Sequence, residues 1–148
     1  MPDPQAPSGS IRLGRVAGVP VYLDRTWLIL GAFIAWTGWQ AGRDLGTTTG
    51  IAYAGWLVLG ILTAVLGHEI AHAVAGRMLG FRVHRIVATL WGGHTSYDGT
   101  GSTPGRAAAI AVSGPLANLG LAGIGWIGAQ ALTGPVAQFV LWWFVAIN

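Results

Sequence analysis

Three residues that can bind a metal lie together in the sequence His68-Glu69-Ile70-Ala71-His72, at the end of the apolar run 51–67. If this run is helical, the spacing of four residues puts both imidazoles on one face. Glu69 then lies one residue further round the helix, beside the same site. The pattern suits one divalent metal bound by the two histidines, with Glu69 as general base toward a water that the metal activates.

Zinc is the metal that the pattern favours, because zinc accepts imidazole nitrogen as a ligand. The chain has no cysteine, so a metal must be bound by His, carboxylate or water. A structural histidine pair and a transport site are the alternative interpretations. They are disfavoured because each ionisable group in a membrane span costs about 2.5–3.5 kcal/mol on insertion scales, so a cluster of them needs a compensating partner.

The composition is typical of a membrane protein. Of the 148 residues, 53% are hydrophobic and 9% are charged. The apolar residues come in long runs, which a single soluble core of this size could not bury. The net charge of +3 comes from arginine alone, since the chain has no lysine. Without an aromatic-interleaved basic patch, this charge indicates contact with anionic lipid headgroups, and nucleic acid is not expected as a partner.

The predicted fold class is an all-α polytopic membrane protein, a helical bundle with a short membrane-associated β-hairpin between the second and third spans. Residues 1–25 are expected to form a cytosolic tail and a lead-in strand, and residues 26–148 the membrane domain. The predicted spans are 26–42, 51–76, 107–132 and 136–148. The fourth of these is too short to cross a bilayer.

The positions of the arginines predict the orientation of the bundle. Three arginines precede the first span, one follows it, and four follow the second span, so the N-terminus is expected in the cytosol. At a rise of about 1.5 Å per residue from Ile51, His68 lies roughly 26 Å along a hydrocarbon core about 30 Å thick. The metal site is therefore expected near the cytosolic boundary, where water can reach it.

Residues 81–97 differ from the spans around them, because β-branched and aromatic residues alternate along them. A Gly-Gly pair between such flanks is a hairpin signal, so Gly92-Gly93 is predicted as the turn. The apolar faces of this hairpin indicate that it lies in or against the bundle near the metal site. An interfacial loop is the alternative, because short strands are ambiguous from sequence.

Three segments follow one another along the chain: the His68 to His72 motif in a span, Gly92-Gly93, and Ser113-Gly114-Pro115-Leu116-Ala117-Asn118 in the next span. Together they resemble the site-2 protease family of intramembrane zinc metalloproteases. The opening segment 13–20, Leu-Gly-Arg-Val-Ala-Gly-Val-Pro, and Trp27 are similar to bacterial members that process membrane-tethered transcription-factor precursors.

The resemblance implies a role for each of these residues. His68 and His72 are expected to bind Zn²⁺ and Glu69 to be the catalytic base. Asn118 is expected beside the metal, where it would orient substrate or stabilise the oxyanion, although an interhelical hydrogen bond is its alternative role. Gly92 and Gly93 are expected to contact the substrate.

One departure from the family pattern concerns the third zinc ligand, which the resemblance implies is an aspartate in an Asp-Gly motif on a later span. The four aspartates of this chain, Asp3, Asp24, Asp44 and Asp98, all lie outside the predicted spans. His94 is at most an opportunistic substitute, since a solvated loop histidine is the alternative. The chain is therefore expected to be a truncated form or fragment, with a site that is vacant or weakly metallated.

The predicted function is that of an intramembrane zinc metalloendopeptidase in the bacterial cell membrane. Its substrate would be a membrane protein, cleaved in or near a transmembrane segment, and the hairpin would present that segment by strand addition. A divalent-metal transporter is the main alternative, although it would need a second ligand-rich span. A catalytically silent membrane partner and a homo-oligomer remain open. A haem protein is disfavoured, because two histidines one turn apart cannot bind one haem from opposite faces.

Overall fold

A computed structural model describes residues 7–89, 91–98, 101–131 and 134–148 of the chain. The described residues form four α-helices, a 3-10 turn at Arg43–Leu45 and four β-strands. The helices are α1 (Thr26–Gly42), α2 (Thr47–Met78), α3 (Pro104–Ala131) and α4 (Pro135–Ile147). The strands are β1 (Ser10–Val16), β2 (Val19–Asp24), β3 (Val83–Thr89) and β4 (Gly92–Tyr97).

The predicted all-α class with a short hairpin is confirmed only in part: the described chain is mostly helical, but four strands form one mixed sheet. The strand order is β1-β2-β3-β4, with antiparallel outer pairs and a parallel central pair, β2 with β3. The central pair is buried: Val21, Ile86 and Val87 are almost inaccessible to solvent. Two segments far apart in sequence thus complete one sheet, because each supplies an apolar strand that needs a partner on its open edge.

The turn of the predicted hairpin at 81–97 is displaced from its predicted position. β3 and β4 do pair, but Thr89 lies opposite Gly92 and Ala88 opposite Gly93. Both glycines therefore belong to β4, and the prediction of a Gly-Gly turn is wrong. The second hairpin, which the lead-in strand prediction did not anticipate, joins β1 to β2 through Ala17 and Gly18, whose φ angles of 49° and 81° suit a two-residue turn.

The helices follow the apolar runs of the sequence. α1 begins and ends at the bounds of the first predicted span, whereas α2 extends beyond the second span at both ends. α2 and α3 are the two helices of the described residues that are long and apolar enough to cross a membrane. α1 and α4, with 17 and 13 residues, are shorter. A four-span topology therefore stays a prediction.

The chain divides into two compact units. The first contains residues 1–29 and 65–117, which include the sheet, the C-terminal half of α2 and the start of α3. Its core packs the sheet against one face of α2, with Val19, Val21, Ala73 and Ile86 buried and with Leu66 and Ile70 against them. The second unit contains residues 30–64 and 118–148. Its helices approach closely at glycines: a β-carbon at Gly38 would lie 2.7 Å from the Cα of Ala54.

Candidate metal centre

The candidate metal centre lies on the C-terminal half of α2, within the first unit. One ligand atom from each of His68, Glu69 and His72 lies within 4.8 Å of the others. The centroids of the two imidazole rings are 4.6 Å apart, and the ring planes are nearly perpendicular at 84°. The helical spacing of four residues thus brings the side chains together as the sequence predicts.

The two imidazoles converge on Gly114 of α3. A β-carbon built on Gly114 would lie 2.5 Å from the Nε2 of His68 and 2.5 Å from the Nε2 of His72. Zinc–nitrogen bonds measure about 2.0–2.1 Å, so this position lies close to where both Nε2 lone pairs could bind one ion. Glycine leaves the space open, and any other residue would fill it. The donor atoms and this space fit a zinc ion.

The Nδ1 of His72 contacts α3, which holds the ring in place. It lies 2.7 Å from the carbonyl oxygen of Ile110 and 3.3 Å from the hydroxyl of Ser113, and that hydroxyl donates to the same carbonyl at 2.7 Å. A carbonyl only accepts, so the contact with Ile110 requires a proton on Nδ1 and leaves Nε2 unprotonated for a metal. Backbone contacts of this kind leave no residue-type signal, and the sequence did not indicate Ile110.

Glu69 is the one buried charged residue of the described chain, with 6% of its surface exposed. Its Oε2 accepts a hydrogen bond from the hydroxyl of Thr95 on β4 at 2.9 Å. Beside Thr95, a β-carbon at Gly93 would clash with the Cγ of Glu69 and lie 2.9 Å from its Cδ. Gly93 is therefore needed for the close approach of β4 to the carboxylate. Thr95 is not among the predicted site residues, and its only signal in the sequence is its position two residues after Gly93.

A cleft of about 380 Å³ opens over the three residues. Its wall combines α2, the strand β4 and the first turns of α3, and its further lining residues are Gly93, His94, Thr95, Tyr97, Ala107, Ile110 and Ala111. β4 is the outer strand of the sheet, so one of its edges has no partner strand within the described residues. Four residues of this outer strand line the cleft.

The remaining predicted site residues lie apart from the His-Glu-His cluster or have other contacts. His94 lines the cleft but does not belong to the cluster, and Gly92 opens β4. Asn118 lies one turn beyond Gly114 on α3, in the second unit, and its Oδ1 is buried without a hydrogen-bond partner among the described residues.

No aspartate of the described residues completes the cluster. Asp24 accepts hydrogen bonds from Thr26, Asp44 contacts Arg43, and Asp98 lies 2.9 Å from the Nε2 of His84. Asp3 lies outside the described residues. An aspartate as the third metal ligand therefore stays a prediction.

The comparisons with known proteins identify the family. The model of peptidase family M50 matches residues 56–146, a range that contains the His-Glu-His cluster, Gly114 and Asn118. This chain belongs to peptidase family M50. The site-2 protease resemblance is thereby confirmed, and zinc is the metal that membership of this family implies.

Two curated relatives of this M50 chain are proposed zinc metalloproteases. Rip3 from Mycobacterium tuberculosis is 32% identical over 94% of the chain, and sll0528 from Synechocystis is 31% identical over 83% of it. The alignments cover 37% and 34% of those proteins, so the chain spans little more than a third of their length. The fold is similar to that of the site-2 protease from Methanocaldococcus jannaschii, with a TM-score of 0.67, 20% identity, and coverage of 93% of this chain and 62% of that one.

Proposed function

We propose that this chain carries the catalytic centre of an intramembrane zinc metalloendopeptidase. Its substrate would be a membrane protein, cleaved at a peptide bond in or near a transmembrane segment. The observation that supports this proposal most is the convergence of the two Nε2 atoms on Gly114, with the carboxylate of Glu69 beside them. In this proposal His68 and His72 bind zinc and Glu69 is the catalytic base.

His68 and His72 would hold the zinc ion, which would supply a Lewis acid and lower the pKa of water at the site to about 7. Glu69 would take a proton from the attacking water and later give it to the leaving amine. Oε2 of Glu69 accepts a hydrogen bond from the hydroxyl of Thr95, which leaves Oε1 of Glu69 to exchange this proton. The contact of His72 with Ile110 holds the ring with its Nε2 toward the site.

The substrate must reach the site with an accessible backbone, because the carbonyls of a transmembrane helix are hydrogen-bonded within the helix. We infer that a locally unwound segment adds to the unpaired edge of β4 and passes over Glu69. Gly92 and Gly93 would permit the close approach, and Asn118 would orient the substrate or stabilise the oxyanion. A proline scan of β4 tests this step. A proline that removes a backbone N–H on the unpaired edge of β4 should raise the KM for the membrane substrate. An unchanged KM at all positions would exclude strand addition.

We further propose a multi-pass protein with its N-terminus in the cytoplasm. The length and hydropathy of α2 and α3 support membrane insertion. Seven of the eight arginines lie in the first unit, together with the cluster, which favours the cytosolic side for that unit. Fusion of a reporter enzyme to the N-terminus would test the orientation, and a reporter active outside the cytosol would contradict it.

The substitution Glu69→Gln tests the catalytic role. Glutamine has the size of glutamate but cannot take a proton, so cleavage of a membrane substrate should fall by about 10²–10⁴-fold. Zinc content should stay unchanged, because both histidines remain. The control Asp44→Asn neutralises an exposed carboxylate beside Arg43 and should leave both quantities unchanged. Full cleavage by Glu69→Gln would contradict the proposal, and zinc flux into liposomes without cleavage would favour a transporter.

A further inference from the structure

A second cavity lies at the C-terminal end of α2, on the helix that carries the metal cluster. It measures about 400 Å³ and is lined by Arg77, Gly80, Phe81, Arg82 and Val83. None of these residues lines the cleft over Glu69. The helix ends there because Gly80 adopts a φ of +87° and the N–H of Phe81 donates to the carbonyl of Gly76 at 2.9 Å, which closes the last turn.

The charge at this cavity is positive and uncompensated. Arg77 and Arg82 are exposed, and within the described residues neither forms an ion pair with a carboxylate. The Nη1 of Arg77 donates to the carbonyl oxygen of Ala17 in the β1–β2 turn, which anchors the guanidinium. Two arginines at one small cavity without a carboxylate in its lining are suited to an anion. A guanidinium matches the geometry of a phosphate, as it does that of a carboxylate, with two hydrogen bonds.

An exposed apolar surface adjoins this charge on the same helix. Val74 and Met78 are one turn apart and share the face that carries Arg77, and they are 40% and 83% exposed. From Ile51 to Gly76 the helix carries no arginine, so Arg77 is the first cation at the end of a helix long enough to span a bilayer. The surface therefore combines a cationic end with an apolar strip, as an amphiphilic ligand requires.

We propose that this cavity binds an anionic phospholipid. Its phosphodiester lies against Arg77 and Arg82, and an acyl chain lies along Val74 and Met78. Charge complementarity and the adjoining apolar strip favour a membrane lipid over a free phosphate, which would gain nothing from Val74 and Met78. This inference goes beyond the proposed proteolysis, since it needs neither zinc nor a substrate.

Native mass spectrometry of the whole protein in detergent tests the site, with phosphatidylglycerol and phosphatidylcholine added in turn. The wild-type protein should retain phosphatidylglycerol in preference to phosphatidylcholine. Arg82→Gln should weaken phosphatidylglycerol binding about fivefold and the double variant Arg77→Gln/Arg82→Gln about thirtyfold, from the effect of each arginine near an anionic surface. Because Arg77 also contacts Ala17, the single Arg82 variant is the primary measurement.

Two control variants and a competition with inorganic phosphate make the result decisive. Arg106→Gln removes an exposed arginine that does not line the cavity, and its lipid binding should equal that of the wild type. The lysine pair Arg77→Lys/Arg82→Lys should bind more phosphatidylglycerol than the glutamine pair, because it keeps both charges. Equal loss in Arg106→Gln and Arg82→Gln would overturn the proposal. Displacement of the lipid by millimolar inorganic phosphate would also overturn it, because the site would then bind phosphate alone.

Discussion

The hydroxyl of Thr95 donates to Oε2 of Glu69 at 2.9 Å and also lies 3.0 Å from the main-chain oxygen of the same residue. This relationship joins β4 to the helix that carries the metal cluster. Ile86 lies opposite Thr95 on β3 and is fully buried in the core of the first unit. The position of the carboxylate thus depends on the sheet.

Replacing Thr95 by valine keeps the shape of the side chain and removes its hydroxyl. Hydrogen bonds to charged groups contribute about 1.5–3 kcal/mol, so kcat for cleavage should fall by roughly 10- to 100-fold while KM changes little. Thr95→Ser retains the hydroxyl and should recover most of the activity. A valine variant with the wild-type kcat would show that Thr95 does not position Glu69.

Replacing Gly114 by alanine would place a methyl group between the two imidazoles, 2.5 Å from each Nε2 in the present geometry. Zinc affinity, measured by competition with a chromophoric chelator, should fall by at least tenfold, the lower end of the loss usual for disturbed metal sites. Gly120→Ala is the matched control, because its β-carbon meets open space on the same helix. Undiminished zinc binding by Gly114→Ala would place the metal elsewhere.

Replacing Gly93 by alanine tests the approach of β4 to Glu69 separately from metal binding. The new methyl group would clash with the Cγ of Glu69, so the carboxylate must move. Cleavage should fall at least tenfold, because misplacement of a catalytic group by about 1 Å can cost 10²-fold. Zinc affinity should be retained, since neither histidine is touched. Loss of zinc together with activity would instead indicate a general disruption of the site.

Truncating Ile86 to alanine tests the core on which the sheet depends. Ile86 has no solvent exposure, and removing such a side chain costs about 2–5 kcal/mol of stability. Thermal unfolding in detergent should occur at a clearly lower temperature. Ile11→Ala serves as the control, because Ile11 is 45% exposed and its loss should change the unfolding temperature little. Equal shifts for both variants would contradict the assignment of this core.

The start of α1 supplies a prediction about pH. The hydroxyl and the backbone N–H of Thr26 both donate hydrogen bonds to the carboxylate of Asp24. These bonds hold the pKa of that carboxyl below its usual value of 3.8, and the bond from the hydroxyl has the larger effect. Because the pKa is lower in the folded state, ionised Asp24 stabilises the fold at a pH above its usual pKa. This contribution to stability disappears as the pH falls through the lowered pKa. Thr26→Val should raise the pKa of Asp24, as followed by carboxyl ¹³C NMR. An unchanged pKa would show that the hydroxyl is not the main cause.

The helices and the His-Glu-His cluster could be predicted because their signals are local. Apolar runs that end at Gly42, Arg77 and Gly134 mark the helices, and the spacing of His68 and His72 determines that the imidazoles share a face. These features require no knowledge of which segments meet in space.

The sheet and the second half of the site could not be predicted in this way. The parallel pairing of Val21 with Ile86 joins strands more than sixty residues apart, and neither segment alone indicates its partner. The sequence predicts Gly93 as a turn residue, because a glycine pair favours turns. In the structure a glycine is needed there because a β-carbon would clash with the side chain of Glu69. Thr95 and Ile110 act through contacts that form only once β4 and α3 have packed on α2.

Zinc K-edge X-ray absorption on the purified protein tests the central proposal most directly. Two imidazole nitrogens should appear at about 2.0–2.1 Å from the metal. Their signal should disappear in His68→Ala/His72→Ala and persist in Glu69→Gln. A zinc spectrum without imidazole ligands, or one that the double histidine variant leaves unchanged, would contradict the assignment of this cluster as the metal centre.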